Sequence, residues 1–235
     1  MSRRAAPILI PLVFAATAAA AAELPKDARL GVVDALAPRL SAGFGTAANA
    51  AKAPTIRDDW RLGAVAQEQA VTRLSGLGYR ASAAELPSSL VDTVRRGGAL
   101  DVSGLEVRLN AAFSKSLGRW MQEQKLDGVV VLRTLSRPLA QGAPVQSGYG
   151  IARGADGSVA YANVAPLLVT GAVTPKIDGA PQCLVTAPLD AAQVAGPRKL
   201  ADLAPLAPVL KDVLRKSVDG ALVRSGVMQG EAACE

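Results

Sequence analysis

The sequence predicts an α/β protein: a single layered domain whose mixed β-sheet carries packed helices and a β-hairpin at one side. Three observations predict it. Apolar residues at three- and four-residue steps, such as Leu62, Val65, Ala66, Ala70, Leu74 and Leu77, mark amphipathic helices. Short, densely apolar runs such as Val129-Val130-Val131-Leu132 have the length of buried strands. The two patterns alternate along the chain, which is the order of elements in a layered α/β domain.

The first 22 residues read as a secretory signal peptide. Arg3 and Arg4 supply the positive start, residues 8–14 the apolar core, and Ala20-Ala21-Ala22 the small-residue site, so cleavage is expected between Ala22 and Glu23. Pro7, Pro11 and the shortness of the apolar core argue against the alternative, an uncleaved membrane anchor. Residues 23–235 then form one periplasmic domain, and no later apolar stretch in them is long enough to cross a bilayer.

Within that domain, residues 30–36 predict a first strand, β-branched at Val32 and Val33. Residues 39–44 alternate and predict a second strand returning beside the first. A polar, alanine-rich connection follows over 46–55. Asp58 or Asp59 then caps a helix that Gly76 and Gly78 close. Residues 79–83 are a weak strand stopped by Pro87, and 88–96 a short helix ending at Gly97-Gly98. Leu105, Leu109, Ala112, Phe113, Leu117, Trp120 and Met121 line one face of a longer helix, which leads into the buried strand 127–132.

Residues 136–147 read as a loop with two prolines. The hairpin signal comes next: strands 149–153 and 158–164 flank Gly154-Ala155-Asp156-Gly157, with Asp156-Gly157 as the turn pair. The second strand continues through 167–170, and Pro166 marks an edge or a bulge. A turn over 174–181 leads to a strand at Cys183. A closing helix starts between Asp202 and Pro208, buries Leu206, Val209, Leu210, Val213, Leu214, Val218 and Leu222, and ends near Gly226.

Composition excludes several functions. At 50% hydrophobic and 20% charged residues the chain is no disordered tail. It has no histidine and two cysteines, which removes imidazole catalysis and most zinc, haem and iron–sulfur sites. Its formal charge of +6 is spread out, with Arg95-Arg96 and Arg198-Lys199 the densest basic spots, so no nucleic-acid stripe forms. In an exported protein Cys183 and Cys234 are expected to pair and hold the C-terminal tail against a strand; two free thiols or an intermolecular bridge are the alternatives.

No catalytic motif stands out. Neither Gly-x-Ser-x-Gly nor Ser-x-x-Lys occurs. Gly43-Phe44-Gly45-Thr46-Ala47-Ala48 has dinucleotide-loop spacing, but Pro54 interrupts the helix that should follow and the acidic residue falls too early, so it reads as a loop and no cofactor is expected. Asp58-Asp59 offers a carboxylate pair, read first as helix caps. Asp101 and Glu106 are close in sequence without a reason to converge. Trp120 reads as core; Trp60 is less decided and is a candidate for a pocket wall.

Three segments carry a resemblance: Arg29-Leu30-Gly31-Val32-Val33, the step Leu126-Asp127-Gly128-Val129-Val130-Val131-Leu132, and Gly148-Tyr149-Gly150-Ile151 followed by Val159-Ala160-Tyr161-Ala162-Asn163. Through them the chain resembles uncharacterised exported proteobacterial proteins. In outline it is also similar to the small α/β domains of curli-secretion-type lipoproteins and to the first domain of the Tol-system propeller protein. The resemblance implies an envelope location and brings no catalytic residues. The leading expectation is a non-enzymatic periplasmic protein that binds or scaffolds an envelope partner, whose strand would add to a hairpin edge formed by Tyr149, Ile151, Tyr161 and Asn163. An enzyme using carboxylate or Ser/Lys chemistry on a cell-wall component is the second reading. A small-ligand binder with an apolar pocket near Trp60 is the third.

Overall fold

Val32 and Val33, both fully buried, form the centre of strand β1 (Arg29–Asp34), where β-branched side chains suit a surface covered on both sides. The computed structural model describes residues 24–42, 55–103, 106–139, 145–153, 157–171, 176–177, 182–190 and 200–234. After β1 come β2 (Arg39–Ala42), β3 (Thr55–Arg57), α1 (Leu62–Gly76), β4 (Arg80–Ala84), α2 (Ser88–Arg95), β5 (Leu100–Ser103), β6 (Glu106–Leu109) and α3 (Ala111–Glu123). Then follow β7 (Gly128–Thr134), β8 (Ser136–Pro138), β9 (Val145–Ser147), β10 (Tyr149–Arg153), β11 (Ser158–Thr170), β12 (Lys176–Ile177) and β13 (Cys183–Pro188). A 3-10 turn (Leu200–Leu206) leads into α4 (Ala207–Arg224).

Among the described residues nine strands form one mixed sheet, so the α/β class is as expected. β1 lies between β4 and β7 and runs parallel to both. β7 pairs antiparallel with Val164–Thr170 of β11, and β10 pairs with Ser158–Ala162 of the same strand. Both lie along one edge of β11, because β13 pairs with Val159–Val164 on the other. The 13-residue β11 is thus the spine that joins the parallel group β4–β1–β7 to a mixed group of β10, β2 and β3. Pro166 sits in it without breaking it. Its ring nitrogen faces the β13 side, where no described strand pairs with residues 165–168, so no ladder bond is lost.

Alternation along the strands splits the core in two. Leu30, Val32, Val130 and Leu132 face Leu62, Ala66 and Leu74 of α1 and Leu210, Val213 and Leu214 of α4. Val33, Val129 and Val131 face Leu90 and Val94 of α2 and Phe113, Leu117 and Met121 of α3. Trp120 belongs to this second core, as its place on the apolar helical face predicts.

Four expectations need correction. β2 does not return beside β1, whose two edges are taken by β4 and β7; it pairs with β10 and β3. The long helix starts at Ala111 and not at 105. Asn110 caps it, accepting the amide N–H groups of Ala112 and Phe113 at 3.1 and 3.3 Å, and the residues before it form β6 on β5. The loop 136–147 contains a small ribbon, β8 with β9.

The fourth correction concerns the hairpin edge. Tyr149, Ile151, Tyr161 and Asn163 are all buried, and their backbone edges are taken: β10 lies between β2 and β11, and β11 is paired on both sides over this stretch. Burial pushes the Tyr161 phenol up to about 12, and Asn163 donates to the Leu135 carbonyl at 3.1 Å. Among the described residues the edges of the sheet are instead β3, β4 and, on the other side of β11, β12 and β13. The turn residues 154–156, the Gly43–Ala48 motif and the Ala22/Glu23 cleavage site lie outside the described residues.

Cys183 and Cys234 are bonded, with their Cα atoms 5.1 Å apart. Next to the bridge, the fully buried Ser217 hydroxyl of α4 accepts the Val164 N–H at 3.0 Å and donates to the Cys183 carbonyl at 2.6 Å. It fastens α4 to the two strands where β13 starts. Ser217→Ala removes both bonds from a buried site, while Val164 and Cys183 still face each other in the β11–β13 register. A loss of about 1–2 kcal/mol in urea denaturation is expected.

Candidate functional site

The parallel group of strands creates a crevice at the carboxyl end of β1, next to the first turns of α1 and α2. Open α/β sheets place ligands outside the carboxyl ends of their strands. Here the crevice is a cleft of about 770 Å³. Asp34, Asp58 and Glu85 line it, as do Arg39, Arg57, Arg61 and Arg95, with Tyr149 at the β10 side. Gln67 of α1 closes the gap between strands, donating to the Val32 and Ala84 carbonyls at 2.7 and 3.3 Å.

Asp34 is the last residue of β1. One carboxylate oxygen accepts the Leu36 N–H at 2.9 Å, and the group packs against Gly63 in the first turn of α1. A Cβ at position 63 would overlap the carboxylate, so the two residues are a matched pair. Burial pushes the Asp34 carboxyl above its ordinary 3.8; the Leu36 N–H and the Arg95 charge oppose that, and the Asp58 charge adds to it. A raised folded-state pKa means that the ionised form is disfavoured by folding. The penalty is absent well below pH 4 and complete once the pH has passed the raised value. Asp34→Asn is therefore expected to stabilise the protein at neutral pH, by up to about 1 kcal/mol, and to lose that advantage in acid. Melting curves of both proteins from pH 3 to 8 check it.

Asp58 comes from the turn after β3. It accepts the Trp60 N–H at 3.1 Å with one oxygen and the Leu62 N–H at 2.7 Å with the other. It therefore caps the entry to α1 as predicted, although the residue immediately before the helix is Arg61, held at φ 54°. The Tyr149 hydroxyl lies 2.6 Å from the Ala37 carbonyl and 3.2 Å from Asp58 Oδ2. Burial first, and the Asp58 charge second, push the Tyr149 phenol far up, so it is a fixed proton donor. Arg95 of α2 reaches across with Nε donating to the Leu36 carbonyl at 2.9 Å.

The other candidates lie elsewhere. Asp59 is exposed, 3.5 Å from Arg57 Nε. Asp101 accepts from Asn110 Nδ2 at 3.2 and 3.4 Å on the β5–β6 ribbon, away from the cleft. Trp60 packs, half-buried, on the larger core and is not part of the cleft wall. The wall is polar and not the apolar pocket expected there. Asp34, Arg61, Arg95 and Tyr149 escaped sequence reasoning as a group. The one available signal was an aspartate closing a buried strand that is flanked by parallel neighbours.

No family model matches the sequence, and no curated protein does. Distant likenesses occur among solved structures. The hypothetical protein CT253 from Chlamydia trachomatis is 10% identical, with a TM-score of 0.45 over 86% of this chain and 99% of that one. The PelC dodecamer from Paraburkholderia phytofirmans is 13% identical, with a TM-score of 0.38 over 88% and 92%. Lipoprotein GNA1162 from Neisseria meningitidis is 14% identical, with a TM-score of 0.34 over 77% and 97%. The resemblance is loose.

Among the described residues no helix is long and apolar enough to cross a membrane, and no group of three or more His, Cys, Asp and Glu side chains is placed to hold a metal ion.

Proposed function

We propose that this is an exported protein of the cell envelope that binds a small polar ligand in the Asp34–Arg95 cleft and does not transform it. The observation that carries the reading is the cleft itself: a polar hollow at the carboxyl end of β1, walled by charged side chains from three separate stretches of chain and by Tyr149 from a fourth. The leader pattern of residues 1–22 and the Cys183–Cys234 bridge support export. Binding without turnover fits Asp58, whose oxygens already accept from Trp60 and Leu62, and Tyr149, which keeps its proton.

The test is a thermal-shift screen of small polar metabolites and soluble cell-wall fragments. A ligand at a hundred times its Kd stabilises by about 2.7 kcal/mol. Ala64→Trp, which fills the cleft without changing a charge, is expected to abolish the shift. If every hit stabilises wild type and Ala64→Trp equally, the cleft is not the site. Fractionation with N-terminal sequencing checks export: periplasmic protein beginning at Glu23 is the expected form.

A second reading has its own observation. Asp34 and Asp58 face one cleft and feel each other's charge, as an acid–base pair would. It predicts soluble products from purified cell-wall sacculi, lost in Asp34→Asn.

A further inference from the structure

Each charged group in the cleft wall differs in what it already holds. Both Asp58 oxygens accept backbone N–H groups. Asp34 has one oxygen on the Leu36 N–H, and its carboxylate is packed against Gly63. The carboxylates deep in the wall are thus occupied by the protein, and Glu85 alone stands exposed at the rim. The arginines are in the opposite position. Arg95 uses only Nε, on the Leu36 carbonyl. Among the described residues its two Nη groups and the whole Arg61 guanidinium donate to nothing. Arg39 and Arg57 also line the cleft; Arg39 has only a long contact to Thr55 at 3.4 Å, and Arg57 is partly offset by Asp59 at 3.5 Å.

Positive charge with open donors is therefore what the cleft offers a ligand. We propose that the cleft takes its ligand by an oxyanion group, a carboxylate or a phosphate, gripped by the free Nη groups of Arg95 with Arg61 as the second cation. The planar guanidinium fork matches both groups and favours paired N–H···O contacts. Arg95 is already set for this. Its Nε bond to Leu36 holds the guanidinium across the end of β1, so little freedom is lost when an anion arrives. A cation is opposed by the arginine charges, and Asp58 already has both oxygens on backbone N–H groups. The proposal rests on the binding reading above and adds the chemical class of the ligand.

The experiment titrates the full-length, disulfide-bonded protein with inorganic phosphate, succinate and putrescine, following tryptophan fluorescence, because Trp60 adjoins Asp58 and Arg61 in the chain. Saturable binding of phosphate or succinate is expected, and the tighter of the two identifies the headgroup. Arg95→Gln is expected to weaken it by about tenfold or more. Arg61→Gln, at an exposed position outside both cores, is expected to weaken it also and serves if Arg95→Gln unfolds. Arg80→Gln, whose partner Asp27 lies just before β1 at the end of the strands opposite the cleft, should bind as wild type does. Anion binding that survives in both cleft variants overturns the proposal, as does saturable binding of putrescine alone. If both anions fail while the screen yields a ligand lost in Ala64→Trp, the oxyanion class falls and the binding reading stands. Failure of both experiments removes both.

Discussion

Replacing Cys183 and Cys234 together with alanine is expected to lower the unfolding free energy by about 4 kcal/mol, the loop-entropy value for a bridge spanning 51 residues. Urea denaturation of the oxidised protein, the reduced protein and the double variant checks it; the last two should agree. The bridge has a partner in the chain that makes a sharper test. Gly220 of α4 lies against both sulfur atoms, and a Cβ there would enter their van der Waals space. Gly220→Ala should therefore cost about 1–3 kcal/mol by overpacking in the bridged protein. With the sulfurs gone the same change adds a better helix former to an open site and should become neutral or stabilise by up to about 1 kcal/mol. A change of sign between the two backgrounds is a coupling that independent sites do not show.

That pair illustrates what the sequence discloses. Two cysteines in a chain with a leader pattern already point to one bridge, and the strand at Cys183 and the closing helix are visible from their apolar runs. The glycine between them is invisible, because Gly220 acts only on atoms 37 and 14 positions away, which the fold delivers. The helix expected from residue 105 failed for a local reason. Leu105, Leu109 and Ala112 happen to fall at helical steps, while Asn110 is the residue that sets the helix start. For β2 the reason is tertiary: the alternation in Arg39–Ala42 suits any neighbour, and only the occupation of both β1 edges excludes that strand. The hairpin was legible as a hairpin. Its burial was not, since nothing in Tyr149–Arg153 announces that β2 will cover its outer edge. The cleft was the least legible part. Tyr149 and Asp58 are 91 positions apart and Arg95 comes from a third element, so only the topology gathers them.

The second large effect is expected at the junction that holds this gathering together. β10 meets β2 through a short parallel pairing, Gly150 with Ser41 and Ile151 with Ala42. Gly150 has φ 151°, a conformation that costs a residue with a Cβ about 1–2 kcal/mol. A Cβ there would also press into the Ser41 backbone, which, unlike a flexible side chain, has nowhere to turn. Gly150→Ala therefore has two penalties, and a total loss of about 3 kcal/mol or more is expected. The consequence reaches the site. β2 carries β3, and β3 leads directly into Asp58. If β2 is pushed from β10, the Tyr149 hydroxyl loses Asp58 and the cleft loses the wall that Arg39 and Arg57 occupy. Amide hydrogen exchange of Gly150→Ala should show lost protection at residues 39–42 and 55–57. β1 and β7, which among the described residues pair only with each other, β4 and β11, should keep theirs. Ligand binding in the cleft should weaken in the same variant under conditions where α1 and α4 remain folded. Equal loss of protection across the whole sheet would instead mean that its two halves unfold as one unit and that β11 transmits the damage.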